Sequence, residues 1–377
     1  MIERLQLAGY KSIRELDLHL RPLNVLIGAN GGGKSNLVSF FDFLRQMADG
    51  QLAVHVGKHG VRSLLYGGAK VTRGISAAIH FRTETAGGSY EFELSYSFGD
   101  KLIFRKELLA GEEWHGGNLG GSGTCNANLG QGHSEAVLSS RVELPLQQEV
   151  LTISRDSHVY HFSDTSETAR VMQSGNIEDN QQLKGDFSNL AAFLYALEVS
   201  KPEFYKRIIR QIQQVAPFFH DFRLVPQETN KNLISLNWNQ LGSDELFGPQ
   251  QLSDGTLRMI GLIALLMQPE DNLPKLILLD EPELGLHPFA ISLVAGMIRK
   301  ASVDTQVIVA TQSPLLVSEF EPEDVVVVER KASGQPLLPA TSSFTRLAKA
   351  DLEEWLKEYS LGELWLKNVI SGRPVHE

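Results

Sequence analysis

Eight residues near the amino terminus, Gly28-Ala29-Asn30-Gly31-Gly32-Gly33-Lys34-Ser35, carry the spacing G-x-x-x-x-G-K-[ST]. That spacing suits a phosphate chain. Glycines let backbone N–H groups turn inward around phosphate oxygens, where side chains would obstruct them. A helix beginning near Lys34 adds the positive end of its dipole. Lys34 is placed to reach β- and γ-phosphates, and Ser35 to offer a hydroxyl to Mg²⁺. The bland reading is a glycine-rich turn that precedes a lysine by chance. Context weighs against it: Asn24-Val25-Leu26-Ile27 reads as a buried strand feeding the loop, and Leu37, Phe40, Phe41, Phe43 and Leu44 read as a helix leaving it.

A second group is acidic. Leu276-Ile277-Leu278-Leu279-Asp280-Glu281-Pro282-Glu283 is an apolar strand that ends in carboxylates. Ligands of open α/β sheets sit at such carboxyl-terminal strand edges. Asp280 is expected to orient the waters of Mg²⁺, and Glu281 to polarise an attacking water as general base. Two surface acids at a strand end would be the better reading in isolation; with the glycine loop in the same chain it is not. A third group, Leu252-Ser253-Asp254-Gly255-Thr256, precedes a helix. Ser253 can cap it and Gly255 leaves backbone N–H groups bare, which makes a second anion site or an ordinary helix start.

The elements that must position these groups are partly legible. Ile2, Leu5, Leu7, Ile13, Leu16 and Leu18 alternate as strands. From Ile75 to Leu109 the alternation predicts antiparallel strands with one wet face. Residues 110–135, rich in Gly, Asn and Ser, read as a mobile surface loop. Strand-like text resumes from Val142 to Phe162, helical text runs from Asn189 to Val215, and a strand covers Leu233 to Trp238. Residues 252–314 alternate helix and strand, and the tail to Glu377 reads as mostly helical.

Four motifs in order, Gly28–Ser35, Leu252–Gly255, Leu276–Glu281 and Ala310-Thr311-Gln312-Ser313-Pro314, resemble ABC-type ATPase heads, in particular the RecF and SMC branch. Tyr10-Lys11-Ser12 is similar to that branch's opening. Asp280-Glu281-Pro282-Glu283-Leu284-Gly285-Leu286-His287-Pro288, His161-Phe162-Ser163-Asp164-Thr165-Ser166 and Tyr359-Ser360-Leu361-Gly362-Glu363-Leu364-Trp365 resemble the stand-alone predicted ATPases labelled AAA family ATPase.

The resemblance implies an α/β fold: a P-loop head with a mixed central sheet, an antiparallel β lobe and an inserted helical lobe. It implies ATP and Mg²⁺ as ligands. Asn30, Gly31, Gly32, Gly33, Lys34, Ser35 and Asn36, with Lys11 and Ser12, would hold the nucleotide. Ser35 and Asp280 would hold the metal, and Glu281, Lys34 and Gln312 would carry catalysis. Ser253, Asp254, Gly255 and Thr256 would close in trans on the γ-phosphate of a second subunit, giving an ATP-dependent homodimer with a two-fold seam. His287 is either part of that seam or a helix-start residue. The chain would form one head over residues 1–377. Its parts are a P-loop part (1–60), a β-rich part (70–165), a helical insertion (186–250), a signature and Walker B part (251–340) and a helical tail (341–377).

One departure matters. Relatives usually carry histidine where this chain has Gln312, and glutamine can only donate and accept hydrogen bonds. Slow hydrolysis is the expectation. A metal-sensing glutamine is also expected, and Gln147 and Gln148 lie in the right region.

Composition narrows the rest. With 377 residues, 42% hydrophobic and 21% charged, the chain reads as soluble and globular. One cysteine, Cys125, excludes a disulfide framework and a Cys-based metal cluster. No signal peptide or membrane span is legible, so a cytoplasmic protein is expected. A net charge of −10 argues against a wholly basic nucleic-acid coat, and Lys201, Lys206, Arg207 and Arg210 read as a solvated helix face rather than a basic patch. Residues 36–251 lack sustained heptads, and the stretch after Pro314 is short for the nuclease domain of OLD-type proteins. Two functions stay in view: an ATP-driven switch acting on DNA in repair or phage defence, and a nucleotide-gated scaffold for a separately encoded effector. A small-molecule P-loop kinase leaves Leu252–Gly255 and Glu281 unexplained.

Overall fold

The computed structural model describes residues 1–114, 122–140, 144–161, 164–166, 168–335 and 338–372. Two six-stranded sheets organise them. The central sheet runs Thr341–Arg346, Val325–Lys331, Leu23–Ile27, Gln306–Thr311, Leu276–Asp280, Ser157–Tyr160. Its inner pairs are parallel and its Thr341–Arg346 edge is antiparallel, so the sheet is mixed.

The parallel strands read as unbroken apolar runs because both faces are covered. Val25, Ile27, Ile277, Leu279, Val307 and Val309 face one core, built with the helices Leu190–Ser200, Asp254–Leu266 and Pro288–Ala301. Leu26, Leu276, Leu278, Ile308 and Ala310 face the other core. That one is built with the P-loop helix, Lys34–Ala48, and the second sheet. This second sheet is antiparallel throughout, in the order Ile13–His19, Ile2–Tyr10, Gly74–Arg82, Ala86–Ser97, Lys101–Trp114, Ser122–Gly130. The mixed central sheet, β lobe and helical lobe are as expected, and no long coiled coil occurs among the described residues.

Several boundaries differ from the sequence reading. The expected loop at 110–135 is largely a hairpin: Lys101–Trp114 pairs with Ser122–Gly130, and residues 115–121 lie outside the described residues. Gly111, Gly123, Asn126 and Asn128 occupy strand positions held by backbone pairing. The strand-like text at 142–162 contains a helix, Pro145–Arg155, with Pro145 in its first turn. Leu146, Val150 and Leu151 recur at helical spacing on its buried face. The long helical stretch breaks at Lys201-Pro202 into Leu190–Ser200 and Pro202–Val215. The insertion at 186–250 also holds the short strands Phe219–Phe222, Leu233–Ile234, Trp238–Gln240 and Leu246–Phe247. The tail begins as a strand, Thr341–Arg346, before its short helices.

Candidate functional site

The buried strand Leu23–Ile27 delivers the chain to Gly28, where no side chain fits: a Cβ would sit 2.1 Å from the Val328 carbonyl oxygen. Gly33, at φ 120°, is equally constrained, with an added Cβ 2.1 Å from Ser342 Oγ. The loop therefore wraps as bare backbone and opens directly into the helix Lys34–Ala48, whose N-cap has no side-chain hydrogen bond. Lys34 is buried; its Nζ donates to the carbonyls of Gly28 (2.5 Å) and Ala29 (3.2 Å). Burial lowers its pKa, while Glu281, Asp280 and Glu283 pull the other way.

Behind the loop, Ser342 Oγ donates to the Gly32 carbonyl (2.6 Å) and lies 2.7 Å from Ser12 Oγ, which also accepts from Asn36 Nδ2 (2.6 Å). Ser12 and Asn36 thus brace the loop. Lys11 points its ammonium at Ser39 Oγ on the P-loop helix (2.8 Å). Asn30 and Gly31 are exposed on the loop crest.

Asp280 ends its strand in register with Ala310, where the Ser35 hydroxyl helps hold its carboxyl pKa down. Burial raises its pKa; His161, Lys34 and the Ser35 bond oppose the shift. Glu281 leaves the strand with φ 51°, a left-handed conformation unusual for glutamate, and its N–H donates to the Ala310 carbonyl (2.8 Å). That turn presents its Oε1 to Gln312 Nε2, which donates to it. Glu283 holds the same loop from the other side: Thr311 Oγ1 (2.5 Å) and the Gln312 N–H (3.2 Å) both donate to its Oε1. Burial raises the Glu283 pKa. Lys34, Ser35, Asp280, Glu281 and Gln312 therefore meet in one cluster, although Lys34 and Gln312 lie far apart in the chain.

The donor set suits Mg²⁺. Ser35 and Asp280 offer hard oxygens, and among the described residues no group of three or more His, Cys, Asp or Glu could cage a metal alone. An ion held here needs further oxygens from waters or phosphates, as Mg²⁺ prefers.

The Leu252–Thr256 turn stands apart from this cluster. Ser253 caps the helix Asp254–Leu266, accepting from Thr256 N (3.2 Å), and Ser253 and Asp254 are exposed. Gly255 abuts the loop after the acidic strand, since a Cβ there would lie 2.5 Å from the Gly285 carbonyl oxygen. Arg258 Nη1 donates to the Leu284 carbonyl (2.9 Å). His287 is exposed and caps the helix Pro288–Ala301, its Nδ1 accepting from Phe289 N (3.3 Å).

Sequence reasoning missed four contributors. His161, just after the edge strand Ser157–Tyr160, places Nδ1 3.8 Å from Asp280 Oδ2; its motif carries only a family resemblance in sequence, and Phe162 and Ser163 lie outside the described residues. Glu283 reads in sequence as part of the acidic motif without a role. Ser342 and Gly372 carried no signal at all; the Gly372 carbonyl accepts from Ala29 N (2.9 Å). Neither candidate for the metal-sensing glutamine faces the cluster: Gln147 is buried with Nε2 on the Leu138 carbonyl (2.9 Å), and Gln148 is exposed on the helix Pro145–Arg155.

Among solved structures the chain is similar to an SMC head bound to the C-winged helix domain of ScpA, at 15% identity and TM-score 0.60, with 93% of this chain and 99% of that chain covered. It is similar to the Pyrococcus furiosus SMC head domain bound to the C-terminal domain of ScpA, at 15% identity and TM-score 0.56, covering 95% and 98%. The Pyrococcus yayanosii SMC head with a coiled coil and joint aligns at 11% identity and TM-score 0.54, covering 95% and 99%. No curated protein matches the sequence. No helix of the described residues is long and apolar enough to cross a membrane. The family model described as "AAA domain, putative AbiEii toxin, Type IV TA system" matches residues 23–122 and 133–318. With that match spanning most of the chain, and an SMC-type head fold beneath it, the protein belongs to this AAA-domain family of nucleotide-binding ATPases.

Proposed function

We propose that the chain binds Mg-ATP and hydrolyses it slowly between two copies of itself, as a switch that acts on DNA in repair or phage defence. The observation that carries this reading is the convergence of Lys34, Ser35, Asp280, Glu281 and Gln312 on one cluster. In this reading Lys34 exchanges its Gly28 and Ala29 carbonyl partners for phosphate oxygens, and Asn30 to Asn36 wrap the triphosphate. Ser35 and Asp280 would hold Mg²⁺, which would supply neutralisation of phosphate charge. Glu281 accepts the proton of the attacking water, and Gln312, already on Glu281, helps orient that water. Glutamine cannot carry the charge that histidine can, which keeps turnover low.

The Ser253–Thr256 turn, with Ser253 and Asp254 exposed, closes on the γ-phosphate of the partner copy, with His287 near the seam. ATP favours the closed dimer because it touches both halves.

Size-exclusion chromatography with light scattering, alongside phosphate release, tests the reading. Lys34→Ala loses ATP binding. Glu281→Gln keeps binding, drops turnover by about 10²–10³-fold and accumulates as an ATP-held dimer. Normal hydrolysis by Glu281→Gln removes the assigned base. Gln312→His is expected to raise turnover.

A second reading has its own support. Two similar SMC heads were crystallised with domains of ScpA, and the family description names a toxin–antitoxin system. In that reading the ATP state recruits a separately encoded effector. Co-purification of such a protein in place of DNA binding favours it.

A further inference from the structure

We propose that a cleft on the antiparallel sheet, walled by Arg14, Arg73 and Arg105, docks the phosphate backbone of double-stranded nucleic acid; the proposal rests on the DNA reading above. The cleft measures about 320 Å³. Its floor is Ala8, Gly9, Gly74 and Ser76, which leave the sheet surface low. Neither glycine tolerates a side chain: a Cβ on Gly9 would lie 2.4 Å from the Gly74 carbonyl oxygen, and one on Gly74 would lie 2.2 Å from that of Leu94. Arg105 is aimed by a bulge. Glu93 pairs with Lys106 and Leu94 with Phe104, so Arg105 is the extra residue that the register shift pushes out of the ladder.

The three guanidiniums have no carboxylate partners among the described residues. Three other basic residues on the same sheet are matched: Arg4 with Asp17 (2.5 Å), Arg82 with Glu3 (2.7 Å), Lys106 with Glu91 (3.1 Å), while the adjoining groove over Ala8 and Ser76 carries the acids Glu15 and Glu93. Glu93 is the single acid lining the cleft. The basic helix Pro202–Val215 offers no equivalent surface. Lys206 pairs with Glu203 (3.4 Å), Arg207 lies over the Phe204 ring (5.1 Å), and nearby Lys201 reaches Asp271 (3.7 Å). In a chain of net charge −10, an unmatched arginine cluster over a flat glycine floor is a local anion site.

The chemistry selects the occupant. Arginine forks match phosphate oxygens bidentately. The apolar lining residues Tyr66, Ile75 and Leu94 are buried, so the cleft exposes no pocket for a peptide anchor and no ring for base stacking. That favours a duplex backbone, bound without sequence preference.

Fluorescence anisotropy of labelled duplexes, titrated with the full chain across a salt series, tests this. Wild type binds two unrelated sequences equally. The R14Q/R73Q/R105Q protein binds about tenfold or more weakly, with the log–log salt slope reduced by about one per arginine removed. R105Q alone gives an intermediate loss, R207Q/R210Q gives none, and ATP turnover and melting temperature stay at wild-type values. Wild-type duplex binding left untouched by the triple change overturns the cleft alone. Wild type that ignores duplex altogether, or prefers a polyglutamate chain, overturns both the cleft and the DNA reading, while ATP turnover abolished by Lys34→Ala still supports the ATPase.

Discussion

Burial raises the Glu283 pKa above the ordinary glutamate range, while its Oε1 anchors Thr311 and the Gln312 N–H. Above that raised value the folded chain carries a buried charge that the unfolded chain keeps in water. Below the ordinary value of 4.5 both states are neutral. Stability therefore falls as pH rises between the two values. Glu283→Gln keeps an acceptor oxygen and removes the charge. Its melting temperature is expected to exceed wild type at neutral pH, and the gap to close as pH falls toward 4.5. Equal melting curves across that range would show that the charge costs nothing. Glu283→Ala removes the acceptor itself. It frees the Gln312 loop and is expected to lower kcat about tenfold or more with little change in KM, whereas Glu283→Gln retains activity.

At the scale of elements, the start of the helix Asp254–Leu266 and the loop after Asp280 form one unit, joined by the Gly255–Gly285 contact and by Arg258 on the Leu284 carbonyl. Gly255→Ala places a methyl carbon against the Gly285 carbonyl and forces the two apart. ATP binding is expected to survive, while the ATP-held dimer and turnover fall by about tenfold or more, read by light scattering and phosphate release. Unchanged dimerisation would detach this turn from the seam.

These elements were legible to different degrees. The parallel strands and the capped helix declare themselves through short apolar runs and Ser253. Pro145–Arg155 reads as strand in sequence because a few apolar residues fit either period, and the hairpin strand Ser122–Gly130 reads as loop because its pairing depends on a neighbour, not on its own residues.

For the whole molecule, the central sheet separates two cores, and the tail ties them to the site. The helix Leu361–Leu366, opened by a capping box of Ser360 and Glu363, packs Gly362 against the Pro314 carbonyl, where a Cβ would sit 2.0 Å away. Trp365 is buried, and beyond it the Gly372 carbonyl holds Ala29 of the P-loop. The tail thus spans from the segment after Gln312 to the phosphate loop. Trp365→Ala is expected to cost about 3–5 kcal/mol in denaturant unfolding and to raise the KM for ATP. A stable variant with unchanged KM would make the tail a bystander.

The signals readable in the chain alone are local. Glycine spacing, the apolar runs and the acids after Leu279 act within a few residues of one another, so their chemistry is readable without a fold. Folding sets which distant groups meet: Ser342 behind Gly32, 310 positions away, Gly372 on Ala29, His161 beside Asp280 and Glu283 beneath Gln312. Single serines, glycines and glutamates have no period of their own. Their roles arise only when sheet order brings strand ends together, because hydrogen bonds act over a few ångströms and follow position in space, not order in the chain.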